Sequence, residues 1–368
     1  MSHREADIRA LTIDPDVRLS ATLPGWVYTD EAVLAACRER VFAPSWQFVA
    51  DLDRVREPGH VLPFTLLEGL LDVPLLLTRD RADQLHCISN VCTHRANLVC
   101  EHEGIEQGLR CRYHGRKFGL DGAFASMPEF EQAQNFPSPV DSLPQVPFGS
   151  WEKFMFASLA PAATLESLVA PMRERCAGLP FGEARFDPTR SRDYLVKANW
   201  ALYVENYLEG FHIPYVHSGL AGVLDYGEYT TELFEGAILQ LGIAQGAEDA
   251  IDLGHASPDH GRRVAAYYWW LYPNTMFNVY PGGVSINVVR PLGVALTRVS
   301  FLTYVWDASR LDQGAGAGLD RVEREDEVIV EAVQRGLKSP LYSHGRYSPA
   351  REGGVHHFHR MIAAALRG

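Results

Sequence analysis

The feature that most limits how this chain can fold is a pair of short Cys/His motifs. Cys92-Thr93-His94 is followed, after 16 intervening residues, by Cys111-Arg112-Tyr113-His114. Two thiols and two imidazoles in that order converge only if two tight loops lie side by side, and the tips of β-hairpins supply such loops. The donor set suits an asymmetric 2Fe–2S cluster. Thiolates hold one iron and neutral imidazoles the other, which raises the reduction potential above that of an all-cysteine cluster. Gly115, directly after His114, permits a tight backbone path, and Tyr113 is placed to donate its hydroxyl to a cluster sulfur. A structural zinc site spaces its paired ligands by about two to four residues, so a Cys-x-His pair is unusual for one. A second register, Cys100-Glu101-His102, leaves only eight residues before Cys111, too few for two loops.

A second constellation lies in the segment from Asn199 to His217, NWALYVENYLEGFHIPYVH. Glu205, Glu209 and His212 stand at i, i+4 and i+7, so a helix from Trp200 to Phe211 would place them on one face. Pro214 removes a helical donor and is expected to end that helix, letting His217 fold back toward His212. Two histidines beside a carboxylate suit Fe(II), whose opposite coordination positions then stay open for O₂ and water. Farther on, Arg324-Glu325-Asp326-Glu327 opens a helix expected to run from Asp326 to Lys338, with Ile329, Ala332, Val333 and Leu337 buried. Acidic residues also gather at helix starts for the dipole alone, so Glu323, Glu325 and Glu327 compete with Asp326 as a third donor. The run His356-His357-Phe358-His359 is read as part of an amphipathic helix packed on the protein rather than as a metal site.

Around these motifs the pattern changes along the chain. Asp30 caps a helix reaching Val41. Short strands follow: Trp46–Ala50, His60–Phe64, Val73–Thr78 and Leu85–Ser89. A loop from Met127 to Pro147 precedes a helix near Thr164–Cys176 that Pro171 should interrupt. Later strands are expected at Ala266–Tyr272, Thr275–Tyr280, Val284–Arg290 and Thr297–Trp306, joined by turns such as Pro281-Gly282-Gly283 into an antiparallel sheet. The domain division is an N-terminal segment over 1–44, a small all-β domain over 45–160 and an α+β domain over 161–368.

Composition narrows the function. The formal net charge of −12 lacks the basic stripe that a nucleic-acid surface needs. No apolar run approaches the roughly 18–20 residues of a membrane-spanning helix. Met1 to Pro24 lacks the apolar core of a signal peptide, and six cysteines in 368 residues are no disulfide framework. A cytoplasmic location is expected.

Cys92-Thr93-His94-Arg95 and Cys111-Arg112-Tyr113-His114-Gly115 resemble the Rieske signature of ring-hydroxylating oxygenase α-subunits. Many members carry Trp after His-Gly, whereas Arg116 stands here and looks more like the branch containing choline monooxygenase. The stretch ending at His212 and His217 resembles the family's mononuclear-iron motif, with Glu209 where a bridging Asp is usual, as in the carnitine-oxygenase branch. The resemblance implies Cys92, His94, Cys111 and His114 as cluster ligands and His212, His217 and Asp326 as iron ligands. It implies an α+β fold: a Rieske domain plus a helix-grip (START-like) catalytic domain with an antiparallel sheet. It further implies a homotrimer in which Glu209 joins His212 to a cluster histidine, His94 or His114, of the neighbouring chain. Electrons would come from a separate NAD(P)H-dependent reductase, with or without a ferredoxin, since the chain has no G-x-G-x-x-G fingerprint.

The function implied is mono- or dioxygenation: hydroxylation or oxidative demethylation of a small organic substrate. Tyr203, Tyr207, Phe211, Tyr267, Trp269 and Tyr280 are candidates for an aromatic cage around a choline- or betaine-like quaternary amine. The alternatives are hydroxylation of a ring, alkyl or sterol compound and, in another class, a Rieske electron carrier without oxygenase activity.

Overall fold

The computed structural model describes residues 3–217, 225–244 and 250–368. The chain divides into two compact units, one formed by Ala43–Leu165, the other by the chain up to Phe42 together with Glu166–Gly368. The fold is α+β, and no helix among the described residues is long and apolar enough to cross a membrane.

The smaller unit is built of short strands, with 3-10 turns at Leu52–Val55 and Pro139–Asp141. β1 (Gln47–Asp51), β2 (His60–Leu66), β3 (Val73–Arg79) and β4 (Leu85–Ser89) follow runs rich in Val, Leu, Phe and Thr. After them come β5 (Gly104–Ile105), β6 (Leu109–Arg110), β7 (Lys117–Phe118), β8 (Phe124–Ser126), β9 (Phe148–Trp151) and β10 (Phe154–Ala157). They make three antiparallel sheets, ordered β4-β3-β2-β5, β6-β7-β8 and β1-β10-β9. Val61, Leu76, Ile88, Leu109 and Phe118 pack into one core that also takes in Cys92 and Cys111. Burying each large apolar side chain there contributes roughly 1.5–3 kcal/mol, which holds the two Cys loops together before any metal is considered.

The larger unit is built on an antiparallel sheet of β11 (Arg185–Phe186), β12 (Arg192–Val196), β13 (Thr230–Leu233), β14 (Ala237–Ile243), β15 (Val264–Leu271), β16 (Thr275–Tyr280), β17 (Gly283–Gly293) and β18 (Leu296–Val305). Strands β13 to β18 lie side by side in chain order, and β11 and β12 both pair with β18. β15 is buried along almost its whole length, so its sequence shows no alternation to reveal which side chains face which way.

Seven α-helices are described: α1 (His3–Ala10), α2 (Glu31–Cys37), α3 (Leu165–Arg175), α4 (Trp200–Tyr207), α5 (Ile213–Val216), α6 (Leu319–Gly336) and α7 (Gly353–Arg367). Asp30 caps α2 by accepting from the Ala32 N–H at 2.8 Å, and Asn199 caps α4 by accepting from Ala201 at 3.0 Å. Four expectations are corrected. α3 runs on through Pro171, where burial of Leu168, Val169 and Met172 offsets the roughly 3 kcal/mol that a mid-helix proline costs. α4 stops at Tyr207, well before Phe211. α6 starts at Leu319, so Asp326 sits mid-helix. Its buried positions are Glu323, Val330 and Gln334, whereas Ile329 and Val333, expected inside, are 38% and 45% exposed, and Ala332 is exposed as well.

Candidate metal centres

The two Cys loops share one backbone design. In the first, the Cys92 N–H donates to the Asn97 carbonyl (2.8 Å) and the Ala96 N–H to the Cys92 carbonyl (3.0 Å). In the second, the Cys111 N–H donates to Arg116 (2.8 Å) and the Gly115 N–H to Cys111 (3.1 Å). The residue four past each Cys is left-handed, with φ of 56° at Ala96 and 74° at Gly115. An isolated Val91–Leu98 bridge closes the first loop, and the β6–β7 hairpin closes the second.

The two thiols are inside and the two imidazoles outside. Cys92 and Cys111 are 3% and 2% exposed and free of disulfides, while His94 and His114 are half-buried with ring centres 4.8 Å apart. Desolvation and the neighbouring Cys111 raise the Cys92 thiol. Desolvation and then the charge of His114 hold His94 below its usual value, favouring the neutral imidazole that binds metal. A buried pair of thiols beside an outer pair of imidazoles fits a cluster with two unlike irons.

The loops' supports were mostly invisible in the sequence. Asn97 Nδ2 donates toward Cys111 Sγ at 3.7 Å. Tyr113, expected to donate to a sulfur, is exposed and instead stacks on the His114 ring at 3.7 Å. Arg116 is buried against Phe118, Phe124 and Phe136 and donates to the Asp141 carbonyl (2.9 Å) and Oδ1 (2.7 Å). Thr93 also donates to the Asp141 carbonyl at 2.7 Å, so one residue ties both loops. Cys100 turns its thiol to the His102 carbonyl at 3.1 Å, with the His102 side chain exposed.

The second site forms where α4 ends. Glu205, expected on one face with Glu209 and His212, stays inside α4 and lies 3.0 Å from His359 Nε2 on α7. Glu209 falls beyond the helix and caps the next turn, its Oε2 accepting from the Phe211 and His212 N–H groups. Pro214 does not end a long helix; it occupies the first turn of α5, where a missing N–H is tolerated. His212 and His217 therefore flank a single helical turn, with ring centres 5.1 Å apart.

α6 supplies the carboxylate. Asp326 Oδ1 is 3.0 Å from His217 Nε2 and 3.5 Å from His212 Nε2, and the donor atoms of the three residues lie within 4.8 Å of one another. The other nitrogen of each ring is held by a carboxylate: His212 Nδ1 at 2.7 Å from Glu209 Oε1, His217 Nδ1 at 2.8 Å from Glu325 Oε2. With both Nδ1 atoms protonated, both Nε2 lone pairs point at one spot beside Asp326, which is the second-layer support that metal-binding histidines use. Asn206 Nδ2 donates to Asp326 Oδ1 at 2.8 Å and fixes that carboxylate. Two imidazoles and one carboxylate converging this way fit a facial iron site.

A cavity of about 110 Å³ ends at these donors, walled by Tyr203, Tyr207, Tyr229, Tyr268, Tyr280 and Phe301. Only three of the six residues expected to form a cage are among its walls. Tyr267 turns away and donates to Asp259 at 2.9 Å, Trp269 packs beside Phe234 with centres 5.7 Å apart, and Phe211 is exposed. Tyr268, between the two misassigned residues, faces the cavity because successive strand side chains point to opposite sides. Gly210 admits Tyr229: a Cβ there would come within 2.7 Å of its ring. The described lining contains no Lys or Arg. Glu323 accepts from the Tyr203 hydroxyl at 2.7 Å, and burial pushes its carboxyl up to about 8.

Comparison with known proteins gives this geometry a family. The model of the ring hydroxylating alpha subunit catalytic domain matches residues 183–368, and that of the Rieske [2Fe-2S] domain matches residues 45–137. Chloroplastic choline monooxygenase of Beta vulgaris is 30% identical over 100% of this chain and 82% of its own. The carnitine monooxygenase oxygenase subunit of Escherichia coli K12 is 29% identical over 94% of each chain. A solved quaternary ammonium Rieske monooxygenase shares the fold, with a TM-score of 0.76 and 24% identity over 96% of each chain. The chain belongs to the Rieske non-haem iron oxygenases, as an oxidoreductase α-subunit with a Rieske [2Fe–2S] domain and a mononuclear-iron catalytic domain.

Proposed function

We propose that this α-subunit is a terminal oxygenase that hydroxylates or oxidatively demethylates a small quaternary amine of the choline or betaine type. The observation that carries the reading is the tyrosine-walled cavity that ends at His212, His217 and Asp326 and has no Lys or Arg in its described lining. An aromatic face attracts a cation by about 0.5–2 kcal/mol, more as water is excluded, and a methylated ammonium needs no hydrogen-bond acceptor of its own. Choline and carnitine monooxygenases among the relatives support the same substrate class.

In this reading Cys92, His94, Cys111 and His114 hold the cluster, and His212, His217 and Asp326 hold the mononuclear iron. When bound, the two groups supply electrons and the open ferrous face at which O₂ is activated. The protein's part is orientation. Glu209 and Glu325 keep the Nδ1 protons and so aim both Nε2 atoms, while Asn206 steadies Asp326. Tyr207 is locked by its hydroxyl, whose single proton is shared between the Trp269 carbonyl (3.0 Å) and Asn278 Oδ1 (2.8 Å), leaving its ring to face the substrate. Glu209 further serves as the bridge to His94 or His114 of a neighbouring subunit in a homotrimer. Its hold on His212 supports that role. Electrons arrive from a separate NAD(P)H-dependent reductase, in the cytoplasm. The labour divides between a cluster domain over 45–160 and a catalytic domain over 161–368, on which the 1–44 segment packs.

Reductase-coupled O₂ uptake with choline, glycine betaine, carnitine and a panel of aromatic acids tests the reading. A quaternary amine should support uptake with formation of formaldehyde or a hydroxylated product. Uptake confined to aromatic or other uncharged compounds would overturn it.

A further inference from the structure

We propose that Glu323 reads the positive charge of the substrate, so that the oxygenase selects a small ammonium cation carrying no carboxylate. The inference rests on the quaternary-amine reading of the same cavity. Glu323 is 4% exposed and lines that cavity from α6. Its Oε2 accepts from the Tyr203 hydroxyl, and its buried Oε1 has no hydrogen-bond partner. Leaving a buried polar atom unpaired costs about 1–3 kcal/mol, so a carboxylate oxygen is kept in such a place for a group that arrives later.

The rest of the cavity asks for the same guest. Gln240 spends its Nε2 on the Tyr207 carbonyl, and its Oε1 is likewise buried and unpartnered. Both orphaned atoms in the described lining are oxygens, Gln240 Oε1 an acceptor as it stands and Glu323 Oε1 once ionised, so the complementary ligand is a cation or a hydrogen-bond donor. Burial, and then Asp326, Glu327 and Asp320 on the same helix, keep Glu323 protonated while the cavity is empty, and a cation arriving beside Oε1 drives that proton off and meets the charge left behind. A substrate carboxylate would meet Glu209, Glu323 and Asp326 with no Lys or Arg in the described lining to receive it. Glu323 stands one helical turn, about 5 Å along the axis, from Asp326. A cation held there places a carbon attached to its nitrogen toward the metal donors. Glu323 is thus a specificity residue, with no role as a metal ligand.

Calorimetric titration of the iron-loaded enzyme separates the possibilities. The probes are choline, its uncharged carbon isostere 3,3-dimethylbutan-1-ol, and glycine betaine. The wild type should favour choline over each of the others by about tenfold or more. Glu323→Gln should bring choline and the isostere to within about twofold of each other. Glu323→Asp should weaken choline several-fold and leave the isostere unchanged. The cluster's visible spectrum and the iron content show whether each variant is intact, and the Asp variant decides the matter if the Gln variant is not. A choline preference that survives Glu323→Gln, or is untouched by Glu323→Asp, sinks the inference while leaving the quaternary-amine reading standing. Glycine betaine binding as tightly as choline overturns the carboxylate exclusion. A wild type indifferent between choline and its isostere removes the underlying reading as well.

Discussion

In the β unit, four donors come from two loops whose shape is set by hydrogen bonds within each loop, Cys92 to Ala96 and Asn97, Cys111 to Gly115 and Arg116. In the catalytic unit, His217 meets its carboxylate across 109 residues of chain, and nothing local brings α6 to that place. The first set is specified by turn geometry, the second by how one helix is packed and rotated against another. That difference decides which substitutions abolish a site and which only loosen it.

The largest effect is expected on the long-range side. His212→Ala removes one of the converging donors and should abolish mononuclear iron and coupled turnover while the cluster's visible absorption persists. Loss of both signals together would mean that the sites are not independently built. Next comes Glu209→Gln, which should let the isolated cluster be reduced normally yet lower coupled turnover by orders of magnitude. Unchanged turnover would take Glu209 out of the electron path. Glu325→Gln frees the His217 ring from its carboxylate and should weaken iron binding roughly 10–100-fold, read by chelator competition. An unaltered affinity would show that packing alone orients His217.

The smallest effects belong to the loops and should have opposite signs. Gly115→Ala forces a side chain into a left-handed residue and should cost about 1 kcal/mol in chemical denaturation. A clash is not the cause, since the nearest atoms to such a Cβ lie 3.6 Å away. Ala96→Gly relieves the same conformation in the sister loop and should gain up to about 1 kcal/mol. Equal signs for the two changes would refute the shared design.

The same contrast explains what could be read in the sequence. Cys92, His94, Cys111 and His114 were legible because a fixed spacing encodes a local shape. The pair His212 and His217 was legible too, though for a partly mistaken reason: the end of α4 at Tyr207 and a one-turn helix bring them together, not a fold-back after Pro214. Asp141, which fastens both loops, and Glu325, which holds His217, carry no local signal because their partners are distant in sequence. Tyr268 was missed in favour of Tyr267 and Trp269 because a strand buried on both sides hides its parity. The burial of α6 was read backwards because Ile329, Ala332 and Val333 look outward, while Glu323 and Gln334 are buried beside Val330.

That last inversion makes α6 an unusual beam. Its inward side carries Glu323 and Asp326, so the helix approaches α4 with carboxyl groups, met by the Tyr203 hydroxyl and the Asn206 amide, where most helices bring oil. A divalent ion held by Asp326 would then be an electrostatic rivet as well as a reagent, drawing α6 to the two histidines that follow α4. Stripping it with a chelator should fray amide-exchange protection first along α6 and the end of α4, tying the protein's durability in storage to the metal it works with.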